Sequence, residues 1–182
     1  MGNFKATVED REIQRTFQSV LHFTGNTRPM MEEIGQKYEA RILENFAKES
    51  DPEGNKWQKL SAATLLIRLG KGKRTKKSGY LSKAGTRYLT AKMILQEKKH
   101  LLQAIHYQAD ALSVTIGVGE HIPYAAVQQF GGPAGRGKKV HIPARAYLAM
   151  NEGDGMRLAE RDQRMIIGVL YLRLSDAVDG RS

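Results

Sequence analysis

Four apolar residues spaced four apart, Ile34, Tyr38, Ile42 and Phe46, run through MMEEIGQKYEARILENFAKES. At 3.6 residues per turn this spacing draws one stripe down one side of a helix. It commits a long segment to a single rod with a buried face, against which the rest of the chain must pack. Pro29 suits the first turn, where its missing N–H costs nothing. Glu32 and Glu33 near the start and Lys48 near the end match the helix dipole.

The period then changes. In DALSVTIGVG, Leu112, Val114, Ile116 and Val118 alternate with Ser113, Thr115 and Gly117, which predicts a strand with one buried face. The preceding IHYQAD is placed to pair with it through a tight turn near Ala109–Ala111. Other elements are shorter. Ile13, Phe17 and Leu21 mark a helix over 10–22 with Asp10 as a possible cap. SAATLLIRL reads as a helix capped by Ser61. A helix is expected over roughly 97–105, and another over 123–130, opened by Pro123 and stopped by Gly131. A strand is expected at about 138–142, where Ile142 precedes Pro143 and is biased to extended geometry. The polar turn SDPEGNKWQKL ends in the sole tryptophan, Trp57, which is expected to plug the core. The apolar tail from 154 to 178 reads as a helix, with a strand through GVLYLRL as the open alternative. The sum is an α+β domain: several helices packed on a small, mainly antiparallel sheet, with long basic loops. One domain is expected over 1–182, carrying an N-terminal helical arm at 1–28 and a mobile basic loop at 69–90.

Charge and composition narrow the chemistry. The chain has no cysteine, so disulfides, thiolate nucleophiles and zinc–cysteine sites are excluded. Its five histidines, His22, His100, His106, His121 and His141, show no four-residue metal spacing, and no metal or cofactor is expected. No apolar run reaches the roughly 20 residues of a membrane span, and no secretion signal is expected. MGNFKAT fits the myristoylation pattern only with its Thr one place late, and is discounted. Net charge is +10, from 29 Lys and Arg against 19 Asp and Glu, which favours an anionic neighbour. Much of it is local: Lys71, Lys73, Arg74, Lys76 and Lys77 crowd one acid-free stretch. A solvated loop is the plain reading, and non-specific DNA contact the alternative.

GPAGRGKK, residues 132–139, comes one residue short of a phosphate-binding loop. Lys139 stands where the magnesium-holding hydroxyl belongs. Val140-His141-Ile142-Pro143 follows where a helix should start, and the preceding residues read as a helix rather than a strand. A flexible connection between helix and strand is expected instead, exposing Arg136, Lys138 and Lys139.

The most distinctive run is IGVGEHIPYAAVQQFGG, then this basic glycine loop, then VHIPARAYL. It resembles the phage virion morphogenesis family, the tail-completion proteins of contractile-tailed bacteriophages. The matching positions are Tyr124, Ala125, Gln129, Phe130 and Gly131, then Ile142, Pro143, Ala144, Arg145, Tyr147 and Leu148. Asp51-Pro52-Glu53-Gly54 with Trp57 and Leu60 is similar to the family's polar turn. The resemblance covers about residues 30–150. One position departs: where many relatives carry His before Gln-Phe-Gly, this chain has Gln128, expected to be a packing or hydrogen-bonding position. The resemblance implies a non-enzymatic assembly protein of the virion, made in the bacterial host cytoplasm, acting in tail completion or head–tail joining. Its partners would be other virion proteins and copies of itself, as a ring, with no membrane; a basic nucleic-acid-binding module is the alternative. Trp57, Tyr124, Gln129, Phe130, Gly131 and Pro143 are assigned to the scaffold, Tyr124 and Phe130 clamping the short helix. Lys71, Lys73, Arg74, Lys76, Lys77, Arg136, Lys138, Lys139 and Arg145 are assigned to assembly contacts, the partner of Arg145 being expected in the same chain or a neighbouring one.

Overall fold

The fold is that of a computed structural model, which describes residues 13, 15, 18, 26–70, 80–151, 155–156 and 158–179. The order is α1 (Arg28–Lys48), α2 (Ala62–Leu69), α3 (Lys83–Ala91), α4 (His100–Gln103), β1 (Ile105–Ala109) and β2 (Val114–Val118). Then come α5 (Ala125–Phe130), β3 (Gly132–Ala134), a 3-10 turn (Arg136–Lys138), β4 (Val140–Ile142), β5 (Met150–Asn151), β6 (Gly155–Met156) and α6 (Glu160–Val178). The strands form three antiparallel pairs, β1–β2, β3–β4 and β5–β6. The α+β class is as the sequence implied, but the sheet is three separate hairpins. Of the expected helix over 10–22, residues 13, 15 and 18 are described and are helical.

Helix α1 is the rod around which the core assembles. Its stripe, Ile34, Tyr38, Ile42 and Phe46, is buried along its length with Met30 and Met31. It packs on both strands of the β1–β2 hairpin and on α6. The hairpin turns one face inward because its register pairs Ile105 with Val118 and Tyr107 with Ile116. Contact with Tyr107 is close: a Cβ on Gly35 would lie 2.3 Å from the Tyr107 ring. Thr27, just before α1, gives no side-chain cap; its hydroxyl donates instead to the Ala111 carbonyl in the hairpin turn. At the far end Glu49 adopts φ 50°, and its N–H donates to the Phe46 carbonyl at 3.2 Å. Neither Glu32 nor Glu33 falls in the first turn of α1, so the expected match to the dipole is corrected at that end; Glu33 serves tertiary structure instead, taking Arg173 of α6 at 2.6 Å.

Four expectations are corrected. The helix expected over 97–105 is one turn, His100–Gln103, because pairing with β2 claims the chain from Ile105 onward. Leu112 lies in the hairpin turn and is exposed, not in the strand. The expected loop 69–90 contains α3, capped by Ser82, whose hydroxyl accepts the Gly85 N–H at 3.1 Å; residues 71–79 lie outside the described ones. The C-terminal helix starts at Glu160, six residues late, because Gly155–Met156 pairs back onto Met150–Asn151. The strand alternative through GVLYLRL is not adopted.

An ionic junction ties α1 to α6. Arg41 donates to Glu44 at 2.6 Å and lies 3.6 Å from the buried carboxylate of Asp162, which also has Arg161 at 3.7 Å. Neither Asp162 Oδ1 nor Arg161 Nε finds a hydrogen bond among the described residues. The two carboxylates therefore respond oppositely to pH. Hydrogen bonds from Lys48 and Arg41 hold Glu44 down to about 2. Burial pushes Asp162 up, despite both arginines. Glu44 stabilises the fold above the ordinary carboxylate range, and that contribution is lost as pH falls through its lowered value. The contribution of Asp162 is complete below the ordinary range and declines as pH rises through its raised one. In thermal melts the advantage of wild type over Glu44→Gln should shrink as pH drops from about 5 toward 2, whereas Asp162→Asn should gain on wild type from about pH 4 to 7. Curves for either variant that run parallel to wild type would refute the assignment.

Candidate functional site

The site begins at the polar turn after α1. Asp51 accepts the Asn55 N–H on Oδ1 at 2.8 Å and the Asn55 amide on Oδ2 at 3.0 Å, and its own N–H donates to the Asn55 carbonyl at 2.8 Å. The chain is thereby reversed, and the Trp57 N–H donates to the Glu49 carbonyl at 2.8 Å. Trp57 is buried as expected, edge-on to Phe46 with ring centroids 5.3 Å apart. Its indole N–H donates to the Ala146 carbonyl at 2.8 Å. Phe46 also meets Tyr147 at 5.3 Å, so three aromatics from distant parts of the chain form one cluster.

Ala146 belongs to a segment, Pro143–Ala149, that lies outside any strand and buries Arg145, Tyr147, Leu148 and Ala149. Buried backbone must find hydrogen bonds, and here side chains supply them. Gln129, on α5, is the main one. Its carbonyl oxygen accepts the N–H groups of Tyr147 and Leu148, each at 3.0 Å, and its amide donates to the Leu148 carbonyl at 2.8 Å. Asn45 of α1 donates to the Tyr147 carbonyl at 3.4 Å and accepts from Arg161 at 2.5 Å. The Tyr38 hydroxyl meets the Ala149 backbone. The Tyr147 side chain, 0% exposed, returns a bond to the Ala125 carbonyl at 3.3 Å. Burial raises the pKa of both Tyr38 and Tyr147, which keeps the hydroxyls protonated. Gly131 closes α5 at φ 75°, where a Cβ would stand 2.8 Å from the Ala144 nitrogen. Both the left-handed angle and the close approach require glycine.

The expected interaction residues separate. Arg145 is buried in its own chain: Nε donates to the Gln58 carbonyl at 3.0 Å, and its N–H to the Gln128 carbonyl at 2.7 Å. Burial, with the charge of Arg68 nearby, pulls its pKa down. Of the two partners the sequence reading allowed, the one in the same chain is found, the Gln58 carbonyl. Arg136 and Lys139 are exposed on the β3–β4 hairpin. That hairpin replaces the expected flexible connection, because Gly132 to Ala134 pairs with Val140 to Ile142. Of Lys138 only the backbone is described, in the 3-10 turn. Lys71, Lys73, Arg74, Lys76 and Lys77 lie outside the described residues.

Among the scaffold residues, Gln129 is buried, Phe130 and Pro143 are half-buried, and Tyr124 is 40% exposed. Tyr124 is the N-cap residue of α5 and precedes its first helical residue, while the side-chain bonds that fix the helix come from Gln129 and Tyr147. Gln128, expected to pack or bond, joins the bracket through its carbonyl, while its side-chain oxygen is buried without a partner among the described residues. Sequence reasoning missed Asn45, Arg161 and Asp162. A lone Asn inside the most regular helix was the available signal. His100 and His121 line one shallow cavity with Tyr124, and no metal-ready group of three or more His, Asp or Glu occurs among the described residues. No helix among them is long and apolar enough to cross a membrane.

The polar turn and the backbone bracket both fall within residues 8–174, which match the profile of the phage virion morphogenesis family. Among known proteins, the Mu-like prophage FluMu G protein 2 of Haemophilus influenzae is 28% identical over 150 residues, 82% of this chain and 86% of that protein. No solved structure matches.

Proposed function

This chain belongs to the phage virion morphogenesis family, and on that premise we propose that it completes the tail or joins it to the head, without catalysing a reaction. The observation that carries this reading is where the motif spends its polar groups. Gln129, Trp57 and Arg145 all bond to main chain of their own subunit. Groups consumed in holding backbone are unavailable to a substrate, so the motif shapes a subunit whose outer surfaces do the work. Those surfaces meet other virion proteins and further copies of the chain, and a ring is the closed form of a head-to-tail contact. Assembly takes place in the bacterial host cytoplasm, and the protein stays in the virion. The alternative reading, a basic nucleic-acid-binding module, is favoured by the basic residues at 71–77.

Particles made without the chain should accumulate as separate heads and tails by electron microscopy. Changing Lys71, Lys73, Arg74, Lys76 and Lys77 together to glutamine should leave the melting temperature within a few degrees yet prevent joining. Normal joining by that variant would remove the basic segment from the mechanism. Joining that survives while a steeply salt-dependent gel shift with duplex DNA is lost would favour the alternative.

A further inference from the structure

Eleven basic residues and no acid lie between Glu53 and Glu97, one more than the chain's net charge of +10. The rest of the chain is close to neutral, with 18 basic residues against 19 acidic. Glu97, which ends the stretch, is already engaged: it holds Arg68 at 2.9 Å, Lys92 at 3.6 Å and the Tyr88 hydroxyl at 2.5 Å. Lys83 and Arg87, one turn apart on α3, are exposed and make no ion pair among the described residues.

The same stretch also exposes several large apolar side chains. Leu66 and Ile67 of α2 are 67% and 79% exposed. Tyr80, 75% exposed, and Leu81 lead directly into the Ser82 cap of α3. Helices α2 and α3 touch. Isolated exposed aliphatics are ordinary on a protein surface. Adjacent ones on a helix that buries only Leu69 are a different case. Eight residues are too few to hold a helix by themselves, and most of the apolar surface of α2 is left without cover by the described residues.

We propose that α2 and the entry to α3 form a docking face for an acidic protein surface, one that sets apolar side chains within a rim of Asp and Glu. The inference rests on the assembly reading above and specifies where the contact is made and with what chemistry. A nucleic-acid backbone would use the cations and leave Leu66 and Ile67 in water. A second copy is the poorer match, since outside this stretch the chain carries 18 basic residues against 19 acidic and no net negative charge to set against the basic rim beyond a single unit. An apolar centre with a complementary charged rim is the anatomy of a protein interface.

The test uses a phage deleted for this gene, supplied with the full chain in trans, and heads and tails purified separately from the deletion infection. Leu66→Ser/Ile67→Ser removes the apolar centre without altering charge, and Lys83→Glu/Arg87→Glu reverses part of the rim. Both should melt like wild type. Each should weaken co-sedimentation with isolated heads or isolated tails by on the order of thirtyfold or more, as for loss of an interface hot spot. Plaque titre should fall accordingly, and wild-type binding should weaken as salt rises. Binding of the serine variant to a duplex oligonucleotide should be unchanged. Full complementation by the serine variant would overturn the docking face. So would loss of an oligomer by light scattering in that variant, which would make the occupant a second copy, or particle binding abolished by nuclease. Normal plaques from the deletion phage alone would instead sink the assembly reading, so the two failures are distinguishable.

Discussion

Gln129→Ala should lower the stability of the fold by about 3–5 kcal/mol, at or near the whole stability of a marginal domain. The substitution strips partners from three buried backbone groups at once: the Tyr147 and Leu148 N–H and the Leu148 carbonyl. Each orphaned buried group costs about 1–3 kcal/mol, less whatever a water in the vacated space restores. Denaturant titration measures it, and a loss under about 1 kcal/mol would show that the bracket is dispensable. Gln129→Glu is the sharper variant. A carboxylate still accepts both N–H groups but faces the Leu148 carbonyl without a proton to give. Protonated, it can donate there and mimic the amide. Burial raises the folded-state pKa of such a group, so the variant should be most stable in acid and lose stability as pH rises through that value. A pH profile parallel to wild type would mean that the amide does not donate to Leu148.

Phe46→Ala should be of similar size, about 3–5 kcal/mol for the lost burial and cavity. A further 0.5–1.5 kcal/mol or so attends each aromatic pair. Phe46 is 0% exposed and is in contact with both Trp57 and Tyr147. Its removal therefore loosens the seat of the Pro143–Ala149 segment as well as the end of α1. Phe46→Leu keeps most of the volume and should cost clearly less. Equal losses in the two variants would indicate that ring geometry, rather than filled space, holds the cluster. A loss below about 1.5 kcal/mol in Phe46→Ala would mean that the site collapses around the gap.

How much of this was legible differs by element. Helix α1 could be read because its signal is local: one buried stripe, a proline at the start, and a period that no other element reproduces. The β1–β2 hairpin could be read because alternation reports burial on one face, and the polar turn because Asp51, Gly54 and Asn55 make their own contacts. Helix α3 was lost inside a basic stretch, although Ser82 was a usable cap signal. The single turn of α4 was over-extended because pairing with β2 outranked local helical preference.

The sites behaved in the same way. That Trp57 is buried and that Gly131 stops the short helix followed from residue type and motif. That Arg145 turns inward did not. The length of α1, the turn chemistry and the concentration of positive charge are properties of neighbours along the chain, and the sequence determined them unaided. The backbone bracket, the aromatic cluster and the Arg41–Asp162 junction unite groups from helices and loops far apart in sequence. Only the folded chain decided them, because a hydrogen bond between distant residues depends on where every intervening element has packed.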